Sequence, residues 1–152
     1  MKGNGESRLH WRLVESLYAE AMLLADEARS YFDESGRAER ERLDPLRRVT
    51  FSCESLKVTT RLMHAIAWLL TQRGVLAGEI RMGDALDPSR RLGEAPATSD
   101  DVFATMPEGA QALIAASVDL YRRVGRLDSA QDGPVSGSSP ARMMLRRLER
   151  AF

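Results

Sequence analysis

The chain has 152 residues, 43% of them hydrophobic and 29% charged, with twenty-two basic side chains balanced by twenty-two acidic ones. Length and composition suit one domain whose folding removes roughly 68–70% of the unfolded chain's surface from water, and they exclude a chain disordered throughout. Zero net charge excludes a global field that would steer the protein to nucleic acid or an anionic membrane, and a single cysteine, Cys53, excludes an intramolecular disulfide.

Met1 to Ser7 contains no apolar signal core, and the most apolar run, Leu62 to Leu70, is about half a membrane span. The expectation is a cytoplasmic protein that does not cross a membrane. From Leu9 to Phe32, Leu13, Leu17, Ala21, Leu24, Ala28 and Tyr31 recur every three or four positions, which predicts a first helix with one apolar face. Glu15, Glu20, Asp26, Glu27 and Arg29 take its wetter side, Ser35-Gly36 supplies a stop, and a charged connector follows from Arg37 to Asp44.

Asp44-Pro45 reads as an N-cap and a first-turn proline, so a second helix is expected from there to Leu76, ahead of Gly78, with Thr50 and Ser52 as competing starts. Leu56, Thr59, Met63, Ile66 and Leu70 form one stripe on it, and Val58, Leu62, Ala65 and Leu69 a second. Two apolar stripes predict a central helix packed on both sides. Residues 79–105 hold Pro88, Gly93 and Pro96 with little periodicity, an irregular crossover with room for one helical turn.

Thr105-Met106-Pro107-Glu108 has capping-box spacing and marks the start of a third helix. Met106, Ala110, Leu113, Ser117, Leu120, Val124 and Leu127 give it a heptad seam that must meet another helix. If the bundle closes on itself, Ile66 and Leu113 are both buried. Residues 129–139 are small, polar and breaker-rich, the composition of a flexible linker. The final segment sets apolar Met143, Met144, Leu145, Leu148 and Phe152 against Arg142, Arg146, Arg147 and Arg150. The fold class is therefore all-α: a three-helix bundle over residues 1–128, with an irregular crossover between helices 2 and 3 and a flexible C-terminal tail over 129–152.

Chemistry is hard to place on this frame. Cys53 and His64 are eleven residues apart, roughly 16 Å along a helix, too far for a catalytic dyad. His64 reads as a hydrogen-bonded core or interface residue. Two histidines and one cysteine match no zinc spacing, no Glu-x-x-His pair suggests a di-iron bundle, and no glycine-rich phosphate loop occurs. Neither an enzyme, a metal nor a cofactor is expected. The tail is the feature best suited to recognition, because a methionine-rich apolar face adapts to varied partners while its linker supplies reach. Arg142, Met143, Met144, Leu145, Arg146, Leu148 and Phe152 are its candidate protein-binding residues.

Three stretches resemble the RcdA family of regulators of CtrA degradation. One runs from Ser55 to Met63 and on through Ala67–Arg73 to Gly78-Glu79-Ile80; another is Glu20-Ala21-Met22 with Glu27 to Phe32; the last is Leu120 to Val124 with Arg126-Leu127-Asp128. The resemblance implies a three-helix bundle that dimerises and a non-enzymatic adaptor that helps the ClpXP protease capture cell-cycle regulators such as CtrA. It also implies work beside other adaptors, including a receiver protein and a cyclic-di-GMP-binding protein. Gly74 departs from the alanine expected there, and residues 81–106 and 129–152 carry no matching motif. Two alternatives from other classes stay open, a small DNA-binding regulator using the tail arginines and a purely structural dimerising helical module.

Overall fold

The structure is a computed structural model that describes residues 3–132 and 147–151. Three long helices carry the fold: α1 (Gly3–Ser30), α3 (Pro45–Leu76) and α6 (Glu108–Ala130). Short helical turns join them, α2 (Arg37–Glu41) between the first pair and α4 (Met82–Ala85) and α5 (Asp100–Thr105) in the crossover. A single 3₁₀ turn, Pro88–Arg90, lies between α4 and α5. Helix α3 packs against both α1 and α6, which also touch each other. Among the described residues there is no strand.

Local chemistry sets the limits of α3. The Asp44 carboxylate accepts the Arg47 backbone N–H at 2.9 Å, and Pro45 occupies the first helical position, where no N–H is needed. At the other end Gly78 takes φ +78°, and the N–H groups of Glu79 and Ile80 both return to the Gly74 carbonyl. Thr50 and Ser52 lie inside the helix. Gly74 itself is a packing requirement, since a Cβ there would sit 2.6 Å from Ile80 Cδ1.

Other expectations need correction. The charged connector is partly helical, as α2. The capping box is not formed: Thr105 Oγ1 donates to the Val102 carbonyl at the end of α5, and α6 begins after Pro107 without a side-chain cap. Ser99, followed by Asp100 and Asp101, is the side-chain cap in this region, and it starts α5. The crossover therefore contains three helical turns, where one was expected. Helix α1 starts earlier than expected and passes into a π-turn, Tyr31–Ser35, before Gly36.

The core shows which stripes are covered. From α1 it takes Val14, Leu17, Ala21, Leu24 and Ala28, with Val14 in place of the expected Leu13, which is exposed. From α6 it takes Ala110, Leu113, Ile114, Ser117, Leu120 and Val124, so the heptad seam is buried as expected, Leu127 only in part. From α3 it takes the stripe of Val58, Leu62, Ala65 and Leu69. The other stripe is not packed inside: Leu56 is 68% exposed, Met63 63% and Leu70 47%. Ile66, expected to be buried, is only half-buried against the core. The chain has three helices to bury, and two of them cannot enclose the whole circumference of the third.

Tyr31, Phe32 and Phe51 form an edge-to-face aromatic group where the π-turn meets α3. Gly109 admits the Tyr31 ring, because a Cβ there would come within 2.5 Å of it. The Tyr31 hydroxyl donates to the Glu39 carboxylate on α2. Burial, reinforced by that carboxylate, pushes the phenol above its ordinary pKa of 10.0.

Two outcomes follow from the packing. Replacing buried Leu69 with alanine should cost about 2–5 kcal/mol in denaturant unfolding, whereas the same change at exposed Leu56 should stay within about 0.5 kcal/mol. The raised Tyr31 pKa means that the fold favours the neutral phenol. Its stabilising contribution is complete below the unfolded value of 10.0 and is lost as pH rises beyond it. Urea melts between pH 8 and 11 should therefore show a steeper alkaline loss in the native chain than in Tyr31→Phe. Tyr121, whose pKa burial also raises, should contribute to the slope that remains.

Candidate protein-docking site

Where the crossover lies over α3 and α6, a buried polar network closes the surface. Arg61 is 2% exposed, yet its guanidinium is fully engaged: Nε and Nη2 donate to the Pro96 carbonyl at 3.2 and 3.0 Å, Nη1 to Ser117 Oγ at 3.2 Å, and Nη2 to Thr98 Oγ1 at 2.5 Å. Thr98 passes the connection on, donating to Glu54 Oε2 at 2.6 Å, and Lys57 pairs with the other oxygen of Glu54 at 2.9 Å. Burial pulls the Arg61 pKa down and the Glu54 charge opposes it. A buried charge is tolerable only with partners of this kind, so the network ties the crossover to α3 and α6.

A second set of bonds fastens the other half of the crossover. Arg91 Nε donates to Asp128 Oδ1 at 2.7 Å, and its terminal nitrogens reach Asp132 at 2.9 and 3.1 Å. Trp68 Nε1 donates to the same Asp128 oxygen at 2.9 Å, and the Tyr121 hydroxyl donates to the Gly93 carbonyl at 2.6 Å. Gly93 lies against the His64 ring. His64, read as a hydrogen-bonded core or interface residue, has a buried Nδ1 with no hydrogen-bond partner among the described residues.

With the crossover covering part of α3 and α6, an apolar surface remains open between α1 and α3. A hollow of about 300 Å³ is lined by Ala25, Ala28 and Phe32 of α1 and its π-turn, and by Leu62, Met63 and Ile66 of α3. Ser55 and Thr59 contribute hydroxyls to its wall. Leu56, Met63 and Leu70 stand exposed along one rim, with Trp11 and Met22 exposed on α1. Toward the chain's N-terminus the rim is tied by Arg73, which pairs with Glu15 at 2.8 Å and lies 4.2 Å from the centre of the Tyr18 ring.

Of the tail residues proposed from sequence, Arg142, Met143, Met144, Leu145, Arg146 and Phe152 lie outside the described residues. Leu148 falls in the helical stretch 147–151 and is 55% exposed. The α1–α3 groove was not singled out from sequence. Its signal was the stripe of Leu56, Met63 and Leu70, assigned to the core. Among the described residues no cluster of three or more His, Cys, Asp or Glu is placed to hold a metal, and no helix is long and apolar enough to cross a membrane. Cys53 is exposed.

The fold and this open face define an all-helical bundle protein of RcdA-like architecture. The crystal structure of RcdA from Caulobacter crescentus CB15 matches with a TM-score of 0.64 and 31% sequence identity, covering 78% of this chain and 90% of that one. Residues 5–152 match the family described as "Protein of unknown function (DUF1465)", and the chain belongs to that family. No curated protein sequence matches.

Thr98 is the simplest place to test the latch. Thr98→Val keeps the shape but removes the hydroxyl between Arg61 and Glu54, and should cost about 1–3 kcal/mol, the penalty for leaving buried polar groups short of a partner. Hydrogen exchange should quicken in residues 88–99 more than in the middle of α1.

Proposed function

We propose that this chain is a non-enzymatic, protein-binding adaptor that assists ClpXP-dependent degradation of cell-cycle regulators such as CtrA. The observation that carries the reading is the apolar α1–α3 face, left open on a bundle whose opposite side is sealed by hydrogen bonds. Adaptors need surfaces held in fixed relation, and helices fastened this firmly provide them. The 31% identity to RcdA over most of both chains supports the same role.

In this reading the partners are ClpXP, its substrates and other adaptors, including a receiver protein and a cyclic-di-GMP-binding protein, in the cytoplasm. The tail segment 129–152 is proposed as a second docking element, with Arg142, Met143, Met144, Leu145, Arg146, Leu148 and Phe152 as its contact residues. A homodimer is proposed through the far end of the bundle. There exposed Leu76 and Met82 line a hollow together with His10, Leu127 and Ala130.

The test is ATP-dependent degradation of CtrA-class regulators by reconstituted ClpXP, with co-adaptors added in turn. The full chain is compared with no adaptor and with a form ending at Asp132, which retains the Arg91 clamp. Acceleration by the full chain alone is expected if the tail is a docking element, and acceleration by both forms would place binding on the bundle alone. No effect in any combination would overturn the adaptor reading.

A further inference from the structure

We infer that the α1–α3 groove receives one amphipathic α-helix of a partner protein, lying parallel to α1 with an acidic C-terminal end against Arg37 and Arg40. The inference rests on the adaptor reading and adds to it the shape, direction and charge of what is bound.

The spacing of the two rims points to a helix. Leu56, Thr59, Met63, Ile66 and Leu70 alternate by three and four along α3, and Trp11, Tyr18, Met22, Ala25 and Arg29 fall on one matching row of α1. Heptad rows are the surfaces into which a neighbouring helix sets its knobs, and two such rows flanking a groove accept a further helix as a four-helix bundle does. Small side chains at Ala25, Ala28, Ser55 and Thr59 keep the groove deep enough for close approach. It continues past Phe32 into an open hollow of about 600 Å³ bounded by Phe51, Ser52, Arg37 and Arg40.

The charges give the groove a direction. Arg37 and Arg40 line the open hollow, and neither side chain has an ion pair or hydrogen bond among the described residues. Asp33 is the acidic side chain lining the same end, which leaves a net positive charge. Farther along, Asp26 pairs with Arg29 and Glu15 with Arg73, while Glu79, which has no ion pair among the described residues, adds a negative charge at the opposite end. A helix carries partial negative charge at its C-terminus and partial positive charge at its N-terminus. The arginines therefore favour the C-terminal end of the guest, more so if that end carries glutamate or aspartate, and Glu79 favours its N-terminal end.

Other occupants fit less well. A second copy presents another groove, and groove against groove leaves empty space. The chain's own tail places Arg142, Arg146, Arg147 and Arg150 against one acid, Glu149, the wrong sign for the arginine end.

The test uses the full-length protein and fluorescent synthetic peptides about five helical turns long, with leucine and alanine on one face. One peptide ends in glutamates and its comparator in lysines. Fluorescence anisotropy should show the glutamate peptide binding about tenfold more tightly at low salt, with the preference shrinking as salt is added. Arg37→Glu with Arg40→Glu, both at exposed positions, should reverse the order, and Thr59→Tyr, which fills the groove, should weaken both peptides. Equal binding of the two peptides, or no reversal, would overturn the inference. So would loss of self-association in Thr59→Tyr, which would give the groove to a second copy, or a gain in peptide affinity on ending the chain at Asp132, which would give it to the tail. The ClpXP assay separates the two levels. Delivery without charge reversal leaves the adaptor reading intact and removes this groove assignment, whereas reversal without delivery does the opposite.

Discussion

Most of this architecture depends on the burial of one guanidinium. Arg61 lies in the middle of α3, 2% exposed, and every nitrogen it carries is directed at Pro96, Thr98 or Ser117. A charge in that position would be prohibitive without those acceptors, so α3 can hold it there only while the crossover stays folded over it. The constraint works in both directions. The crossover has few apolar anchors of its own, among them Ala85 and Leu92, and gains its place from the polar bonds it makes to α3 and α6. Breaking a fully satisfied buried network is costly, so the α3–α6 side is closed to partners and the α1–α3 side is left to meet them.

This division explains where sequence reasoning succeeded. The limits of α3 were legible because they are set locally: Asp44 caps, Pro45 fits the first turn, and Gly78 reverses the backbone. The seam of α6 was legible because Ala110, Leu113, Ser117, Leu120 and Val124 keep a strict period and all are covered. Thr105 misled because a hydroxyl three residues before a glutamate satisfies the capping pattern in either of two structures, and here it closes α5 from behind.

The faces of α3 were harder for a different reason. Apolar spacing states that a stripe wants cover, and it cannot state whether the cover comes from the same chain. Val58 and Leu62 are buried inside the bundle, while Leu56 and Met63, equally apolar and equally periodic, face outward. The residues of the candidate site were thus visible in the sequence but assigned to the interior. The stretch that holds Glu54 and Arg61 gave a contrary signal, since charged side chains in a helix usually read as solvated, and the crossover groups that hydrogen-bond to them lie more than thirty residues away. Long-range hydrogen bonding of this kind has no local pattern.

Because the closed side is held by a network of buried directional bonds and the open side chiefly by the Arg73–Glu15 pair at its rim, the two surfaces differ in what they can tolerate. Hydrogen bonds from Arg61, Trp68 and Arg91 fix the helices to within the geometry of each donor and acceptor, and Gly74 and Gly109 let Ile80 and Tyr31 pack too closely for any larger residue. The open face is made largely of Leu, Met, Ile, Phe, Ala, Ser and Thr, side chains that adapt to a guest without needing particular partners. A rigid frame carrying an adaptable apolar groove binds by fit of shape, with affinity limited by the modest area on offer, and takes its selectivity from the few charges at the groove's ends. Arg37 and Arg40 sit on α2, a five-residue helix that contributes no buried residue to the core. Their identity can therefore change without cost to the fold, which makes the groove's end the place where partner choice is most easily altered.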